Sequence, residues 1–244
     1  MSRELATTPL GWDYAAALTE ARARIIAAEG AAGRVGAQVR LLVATKSWDA
    51  DAAAAAVQAG ATLVGESRLQ ELDLKAASLR AAGARIHVIG QVQRNKAQIA
   101  VRHADCVQTV DSLPLAERLS RLCVEAGREL DVMIQVNVSG EESKAGVNPT
   151  EALIFAAAVQ NLPALTVTGF MTIGLNSPDE TAVRAGYATL RAIRDDALIR
   201  SERGELPLRE AWELSMGMSG DLEWAIAEGA TMVRIGTSVM GSRS

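Results

Sequence analysis

The chain has 244 residues, of which 49% are hydrophobic and 22% charged, as expected for a globular protein that buries a sizeable core. The net charge of −4 comes from interleaved acidic and basic residues, which argues against a basic nucleic-acid-binding surface. Two cysteines are too few for a disulfide framework, and neither a signal peptide nor an apolar run of about 20 residues occurs, so we expect a cytoplasmic protein.

Short runs rich in β-branched residues alternate along the chain with alanine-rich stretches of helical periodicity. The eight predicted strands are Arg40–Thr45, Thr62–Glu66, Arg85–Gly90, Cys106–Asp111, Asp131–Val138, Leu165–Gly174, Ala211–Met216 and Thr231–Thr237. The predicted helices are Tyr14–Glu29, Asp49–Ala59, Arg68–Ala82, Arg94–His103, Leu113–Gly127, Pro149–Asn161, Pro178–Arg200 and Gly220–Glu228. The charged region Arg194–Pro207 is interpreted as a loop.

These repeated βα units predict parallel strands, because each crossover needs a helix to return the chain. Eight units in this length favour an α/β fold that closes into a (β/α)8 TIM barrel, with an extra helix before the first strand. The alternative is a doubly wound open sheet. That fold would normally carry a glycine-rich dinucleotide loop after its first strand, and VATKSWDAD is not such a loop.

Lys46 follows the first predicted strand, at the end where barrels carry their functional side chains. Alternation puts it on the same face as Leu42 and Ala44, which we interpret as the face towards the barrel interior. A lysine there can form a Schiff base with an aldehyde if it is partly desolvated. The alternative is a solvated lysine on the barrel rim.

The fifth predicted strand has one apolar and one polar face. The residues expected to face the helices are Val132, Ile134, Val136 and Val138. The residues expected to face the barrel interior are Met133, Gln135 and Asn137. Buried amides need hydrogen-bond partners, so these amides either form an internal polar network or, in the case of Asn137, contact a ligand.

The last two predicted strands run into loops of small residues, SMGMSGD (Ser215–Asp221) and RIGTS (Arg234–Ser238). Hydroxyl groups, glycines and a helix N-terminus suit a phosphate dianion, because they offer free N–H groups, close backbone approach and a favourable dipole. Loops after strands seven and eight are the recurrent phosphate site of such barrels. Two ordinary turns are the alternative, but two such loops opposite a lysine on strand one favour a phosphate site.

Arg234 shares one face of the last strand with Met232 and Gly236, which predicts a guanidinium inside the barrel. A buried arginine needs an anionic or acceptor partner. That partner is either a ligand or, if Glu213 also points inward, the carboxylate of Glu213.

Six blocks of the sequence carry a family resemblance. They are VATKSWDADAAAAAVQAGATLVGESRLQE, IHVIGQVQRNK, VQTVDS, IQVNVSGEESKAGV, GFMTIG and LSMGMSGDLEWAIAEGATMVRIGTSVMG. In this order they resemble the pyridoxal phosphate homeostasis proteins, also called proline synthetase co-transcribed homologues. The resemblance covers about residues 39–241, the expected core of a single domain of residues 1–244. The family looks like the barrel domain of alanine racemase without its second domain.

The resemblance implies that the chain binds pyridoxal 5′-phosphate (PLP), held as a Schiff base on Lys46. The cofactor-binding residues that it implies are Lys46, Asn137, Met171, Ser215, Met216, Ser219, Arg234, Gly236 and Thr237. Among them Ser215, Gly236 and Thr237 would hold the phosphate, and Arg234 would face the pyridine nitrogen. Met216 and Ser219 would lie near the phosphate. Asn137 and Met171 would line the pocket.

Two positions depart from the family pattern. The family often has Gly-Glu-Asn where this chain has Gly65-Glu66-Ser67, so this chain lacks the amide at that position. The family often has Trp-His-Phe where this chain has Ile86-His87-Val88. We interpret His87 as a hydrogen-bonded core histidine and assign it no role.

The function that the resemblance implies is PLP binding, with a role in intracellular vitamin B6 and amino-acid homeostasis. We expect a monomer that is not an enzyme, with no metal, nucleic acid or membrane as partner and with PLP-dependent apoenzymes as candidate recipients of PLP. No residue is assigned a catalytic role.

Two enzymatic alternatives remain. One is an amino-acid racemase of weak activity, because racemisation needs proton exchange at both faces and Lys46 serves one face only. In the alanine racemase arrangement the second base comes from the second domain of a partner subunit, and we expect no such domain in a sequence that ends at Ser244. The other is a lysine aldolase barrel without cofactor, which would need two phosphate loops only for a phosphorylated substrate.

Overall fold

The computed structural model describes residues 5–8, 11–141 and 145–242. Eight parallel strands form a closed barrel in chain order, and each strand is followed by a helix. The strands are β1 (Arg40–Ala44), β2 (Leu63–Glu66), β3 (Arg85–Val88), β4 (Cys106–Val110), β5 (Leu130–Gln135), β6 (Leu165–Met171), β7 (Glu213–Met218) and β8 (Met232–Ile235). The helices are α1 (Tyr14–Ala31), α2 (Ala50–Gln58), α3 (Leu69–Ala81), α4 (Ala97–His103), α5 (Leu113–Ala126), α6 (Ala152–Gln160), α7 (Glu180–Glu202), α8 (Leu222–Ala227) and α9 (Thr237–Met240), with a 3-10 turn at Arg94–Lys96.

The predicted fold class is confirmed, and the doubly wound open sheet is excluded by the closed barrel. Each predicted strand is present with bounds that differ at its ends. The last strand was predicted to reach Thr237, but β8 ends at Ile235 and Thr237 begins α9, a helix that the strand pattern did not predict.

The interpretation of Arg194–Pro207 as a loop is wrong over its first part, because α7 continues to Glu202. Ile193, Ala197 and Ser201 are buried at a spacing of four residues, which forms one stripe along a helix. Ser201 Oγ also donates to Ala197 O at 2.7 Å and accepts from Leu208 N at 3.1 Å. The prediction failed because this segment has many charged residues, and its apolar residues form only a narrow stripe.

Capping residues set several helix ends. The carboxylate of Asp49 accepts from Ala52 N at 2.7 Å, which satisfies one of the free N–H groups at the start of α2. At the end of α5, Gly127 has φ of 60°, the left-handed conformation that glycine adopts without steric cost. The chain therefore turns sharply after α5, and β5 begins at Leu130.

The buried side chains divide into two layers. Val43 and its equivalents on the other strands pack against the helices in the main core, whereas Leu42, Leu63 and Met232 form a small cluster inside the barrel. A second interior cluster consists of Cys106, Met133 and Met171. The predicted inward orientation is thus confirmed for Leu42, Met133 and Met232, whereas Lys46, Asn137 and Gly236 lie beyond the ends of their strands.

Closure of the barrel brings together strands that are far apart in sequence. Val43 of β1 is in register with Ile235 of β8, and Arg234 of β8 with Met218 of β7. The carboxyl ends of β7, β8 and β1 are therefore consecutive neighbours on one rim. No helix in the described parts of the chain combines the length and apolarity needed to cross a membrane.

Candidate functional site

Lys46 lies on this rim, in the turn that follows β1. Its side chain is exposed, and among the described residues it makes no hydrogen bond or ion pair. Two residues earlier, Ala44 is buried beside Gly236 of the β8 loop. The amine is therefore available to a ligand at the barrel mouth. Because Lys46 is exposed to solvent, only a bound ligand would shield its amine from water.

The N-terminal segment crosses this turn and helps to hold it. Ala6 N donates to Ser47 O and Asp49 N donates to Ala6 O, both at 2.9 Å. Ala6 also forms an isolated parallel bridge with Trp48, which is buried. The backbone next to Lys46 is consequently tied down on the side of this segment.

The loop between β7 and α8 has a rigid conformation. Gly217 has φ of 90°, and a Cβ there would lie 2.5 Å from the Cβ of Ala225, so only glycine fits. The carboxylate of Asp221 accepts from Met218 N and from the Tyr187 hydroxyl, each at 2.7 Å. Ser219, half-buried, lies between these fixed points in the loop at the barrel mouth.

The first turn of α9, which follows the loop residue Gly236, offers backbone donors. Among the described residues, the N–H groups of Thr237 and Ser238 donate to no backbone or side-chain acceptor. Both residues are exposed. At Gly236 a Cβ would lie 3.5 Å from Ala44 O and 3.6 Å from Ala44 Cβ, so this loop lies against the strand that carries Lys46.

Arg234 lies inside the barrel at the start of an oriented chain of hydrogen bonds. Its guanidinium donates to Ser215 Oγ at 2.9 Å and to Thr172 O at 2.7 Å. Ser215 Oγ donates in turn to Gln108 Oε1 at 2.7 Å, and Gln108 Nε2 donates to His87 Nδ1 at 2.8 Å. Each donor in this chain points away from the arginine, so the network stabilises a charged guanidinium.

The suggestion that Glu213 satisfies Arg234 is wrong. Glu213 lies at the opposite end of the barrel, where it pairs with Arg40 at 2.6 Å. No carboxylate of the described residues forms an ion pair with Arg234, and burial lowers the pKa of its guanidinium. Of its five N–H donors, the described residues accept from two, so the others remain available to a ligand.

Two expected phosphate-site residues have other surroundings in the structure. Ser215 is fully buried within β7, and its hydroxyl proton is committed to Gln108. The role of Ser215 at the phosphate stays a prediction, and Ser219 lies in the loop at the mouth. Met216 packs in the layer between barrel and helices, so its side chain faces away from the barrel interior.

Asn137 and Met171 lie in the half of the barrel formed by β5 and β6. Met171 is buried in the interior cluster. Asn137 donates to Glu141 O at 2.8 Å and accepts from Ser139 Oγ at 2.9 Å, so a local turn uses part of its amide. Residues 142–144 of the same motif lie outside the described residues. Contact of Asn137 or Met171 with a ligand remains a prediction.

His87 is hydrogen-bonded through only one of its nitrogens. Nδ1 accepts from Gln108, but Nε2 is buried without a partner among the described residues. Burial lowers the pKa of His87 to about 3, so the ring is neutral at physiological pH. The structure thus agrees with the prediction that His87 is buried in the core. The predicted hydrogen bonding is found at Nδ1 and, among the described residues, not at Nε2.

Because His87 is buried in its neutral form, we expect the free energy of unfolding to decrease as the pH is lowered. Between the unfolded pKa of about 6.5 and the folded value of about 3 the unfolded chain binds a proton at His87 that the folded chain does not. From about pH 7 to about pH 5 this group should therefore remove about 2 kcal/mol from the free energy of unfolding. Urea unfolding of the wild type and of His87→Gln at both pH values measures the difference. Equal pH dependence in the wild type and in His87→Gln would contradict the prediction.

The sequence argument missed Gln108 and Thr172. Gln108 lies two residues after inward-facing Cys106 on β4, so the alternation applied to strand five would have found it. Thr172 contributes through its backbone oxygen, for which no residue type is a signal.

Comparison with known proteins gives a consistent result. Residues 28–244 match the family described as alanine racemase, N-terminal domain. A pyridoxal phosphate homeostasis protein of Pseudomonas aeruginosa is 40% identical over 226 residues, 93% of this chain and 94% of that protein. PipY of Synechococcus elongatus PCC7942, solved with PLP bound, is 31% identical with a TM-score of 0.79 over 94% of this chain and all of that one. An alanine racemase of Clostridium difficile 630, 15% identical with a TM-score of 0.71 over 96% of this chain and 58% of its own, shares the fold.

Proposed function

Because the chain belongs to the pyridoxal phosphate homeostasis protein family, we propose that it binds PLP as a Schiff base on Lys46 and acts in vitamin B6 and amino-acid homeostasis. The observation that carries the proposal is the convergence of three features on one barrel mouth. These are the Lys46 amine, the N–H groups at the start of α9 and the buried Arg234 guanidinium. Among the described residues the first two have no partner, and the third pairs with no carboxylate. PLP bound to the related PipY supports the choice of ligand.

The residues at the mouth fit the chemical groups of PLP. The Lys46 amine can attack the aldehyde carbon, so that a carbon–nitrogen double bond forms and the aldehyde oxygen leaves as water. The free N–H groups of Thr237 and Ser238, with the Ser219 hydroxyl, suit the phosphate dianion. Gly236 lies against Ala44, so a phosphate held at the start of α9 would lie close to the turn that carries Lys46.

Arg234 would make bound PLP a weaker electron sink than a carboxylate at the ring nitrogen would. When bound, PLP supplies an electron-withdrawing ring, which acts most strongly if its nitrogen is protonated and paired with a carboxylate. A guanidinium has donors and no acceptor, so it can donate to an unprotonated nitrogen but cannot stabilise a protonated one. The likeness to alanine racemase concerns the fold alone, and we propose a carrier of PLP instead of a racemase.

The test is the visible absorption of the purified protein with PLP, before and after borohydride. A bound Schiff base absorbs in the visible, and reduction should fix the cofactor mass to the peptide that contains Lys46. A colourless protein that cannot be reconstituted with PLP would refute the proposal. Labelling of Lys75 or Lys96 in place of Lys46 would also refute it.

A further inference from the structure

A buried cluster of charged residues lies directly behind the turn that carries Lys46. Its centre is Lys75 of α3, whose side chain has no exposed surface. The Lys75 ammonium lies 2.9 Å from Glu66 Oε1, 2.9 Å from Thr45 O and 3.6 Å from Glu71 Oε2. The contacts with Glu66 and Thr45 are hydrogen bonds, and the contact with Glu71 is an ion pair.

The contacts of this cluster converge on the two residues that flank Lys46. Before it, Thr45 accepts from Lys75 through its carbonyl oxygen and donates to Glu66 Oε1 through its hydroxyl at 2.6 Å. After it, Ser47 N donates to Glu71 Oε2 at 2.7 Å. Both peptide units next to Lys46 are thus held from the side of the helices.

The conformation of Ser47 needs such support. Its φ of 68° lies in the left-handed region, which is unfavourable for a residue with a side chain and persists where its surroundings hold it. In the held conformation the strand stops at Ala44 and the chain turns, which leaves Lys46 exposed at the mouth.

Stability alone is a poor explanation for this cluster. Burial raises the pKa of the Glu66 carboxyl, and the nearby Lys75 ammonium and Thr45 hydroxyl oppose that rise. Glu66 Oε2 is buried without a partner in the described part of the chain. A well-packed apolar pair often stabilises a fold as well as a buried ion pair does. What this cluster adds is a set of directed hydrogen bonds to one short stretch of backbone.

We propose that Lys75, acting through Glu66 and Glu71, is a positioning residue that holds the amine of Lys46 in place for its bond to the PLP aldehyde. The inference rests on the proposed function, because it concerns the same amine. Lys75 itself is no candidate for that bond, since its ammonium is buried and engaged by its three neighbours. Its effect reaches the ligand only through the backbone on either side of Lys46.

The experiment compares Lys75→Met with the wild type for two ligands. One is PLP, and the other is pyridoxine 5′-phosphate, which has an alcohol in place of the aldehyde and so cannot bond to Lys46. The variant should bind PLP roughly tenfold to a hundredfold more weakly, as expected for a misplaced reacting group. It should bind pyridoxine 5′-phosphate with unchanged affinity. Its visible band with PLP and the rate of borohydride trapping at Lys46 should change in parallel.

A second variant protects the test against a simple loss of fold. Glu71→Met removes the acceptor of Ser47 N but leaves the Lys75–Glu66 pair, and it should give the same selective loss for PLP. The matched control is Lys96→Met, a lysine outside the cluster, which should bind both ligands like the wild type. Equal weakening of both ligands, or no weakening in either cluster variant, would overturn the inference. A wild type that traps no PLP at Lys46 would instead refute the proposed function, and the inference with it.

Discussion

Replacing Lys46 with alanine should abolish covalent attachment of PLP, with no cofactor mass on any peptide after borohydride and no visible band beyond that of free PLP. Among the described residues the Lys46 amine is exposed at the mouth and has no partner, while Lys75 is buried and engaged by Glu66. The proposal assigns the carbon–nitrogen double bond to Lys46, so the expected loss of the covalent product is complete.

Reversible binding of PLP to this variant should remain measurable, since the phosphate contacts are untouched and hydrogen bonds to a charged group contribute about 1.5–3 kcal/mol each. The matched control is Lys46→Arg, which keeps the positive charge but offers no amine nucleophile at neutral pH. It should resemble Lys46→Ala in trapping and bind PLP more tightly than alanine does. Trapping that persists in Lys46→Ala would show that another lysine holds the cofactor.

The joint replacement of Ser219 and Thr237 by alanine removes two hydroxyls and keeps the backbone N–H groups. It should weaken PLP about a hundredfold or more, if each hydroxyl donates one hydrogen bond to the phosphate and the two losses add. The same variant should bind pyridoxal, which lacks the phosphate, like the wild type. Equilibrium titration with both ligands measures the ratio. The ratio of the two affinities reports on the phosphate specifically, because any general damage to the pocket affects both ligands.

Ser215→Ala is the contrasting variant for this prediction. Its hydroxyl lies between Arg234 and Gln108, so its loss should weaken PLP and pyridoxal alike through the arginine. If Ser215→Ala lost affinity for PLP alone and the double variant lost none, the phosphate contact would have to be assigned to Ser215. Equal loss of both ligands in the double variant would mean that Ser219 and Thr237 support the loops instead of the phosphate.

The sequence was sufficient for the fold class and for the faces of its strands. Eight alternating βα units predict the barrel, and the period of two along a strand predicts that Leu42, Met133 and Arg234 face its interior. Both signals are local, because they depend only on the spacing of residues within one element. The family resemblance is confirmed by the comparisons. It too could be recognised from the sequence, because its blocks are contiguous stretches of chain.

Partners inside the barrel were decided by the tertiary structure. Glu213 and Arg234 both face inward, yet Glu213 pairs with Arg40 at the other end of the barrel and Arg234 donates to Ser215. The depth of a side chain depends on how each strand is shifted along its neighbours. The register of β7 against β8 moves between Ser215 and Met218, and no pattern within either strand records that shift.

The setting of Lys46 illustrates the same division. Its place at the end of the first strand could be read from the alternation of residues, so the amine and its candidate chemistry came from the sequence. Lys75 and Glu66 could not be assigned in this way, because the contact of Lys75 with Thr45 spans 30 residues and two elements. A buried ion pair is recognised only when packing has removed both groups from water, and the packing of α3 against β1 and β2 decides that here.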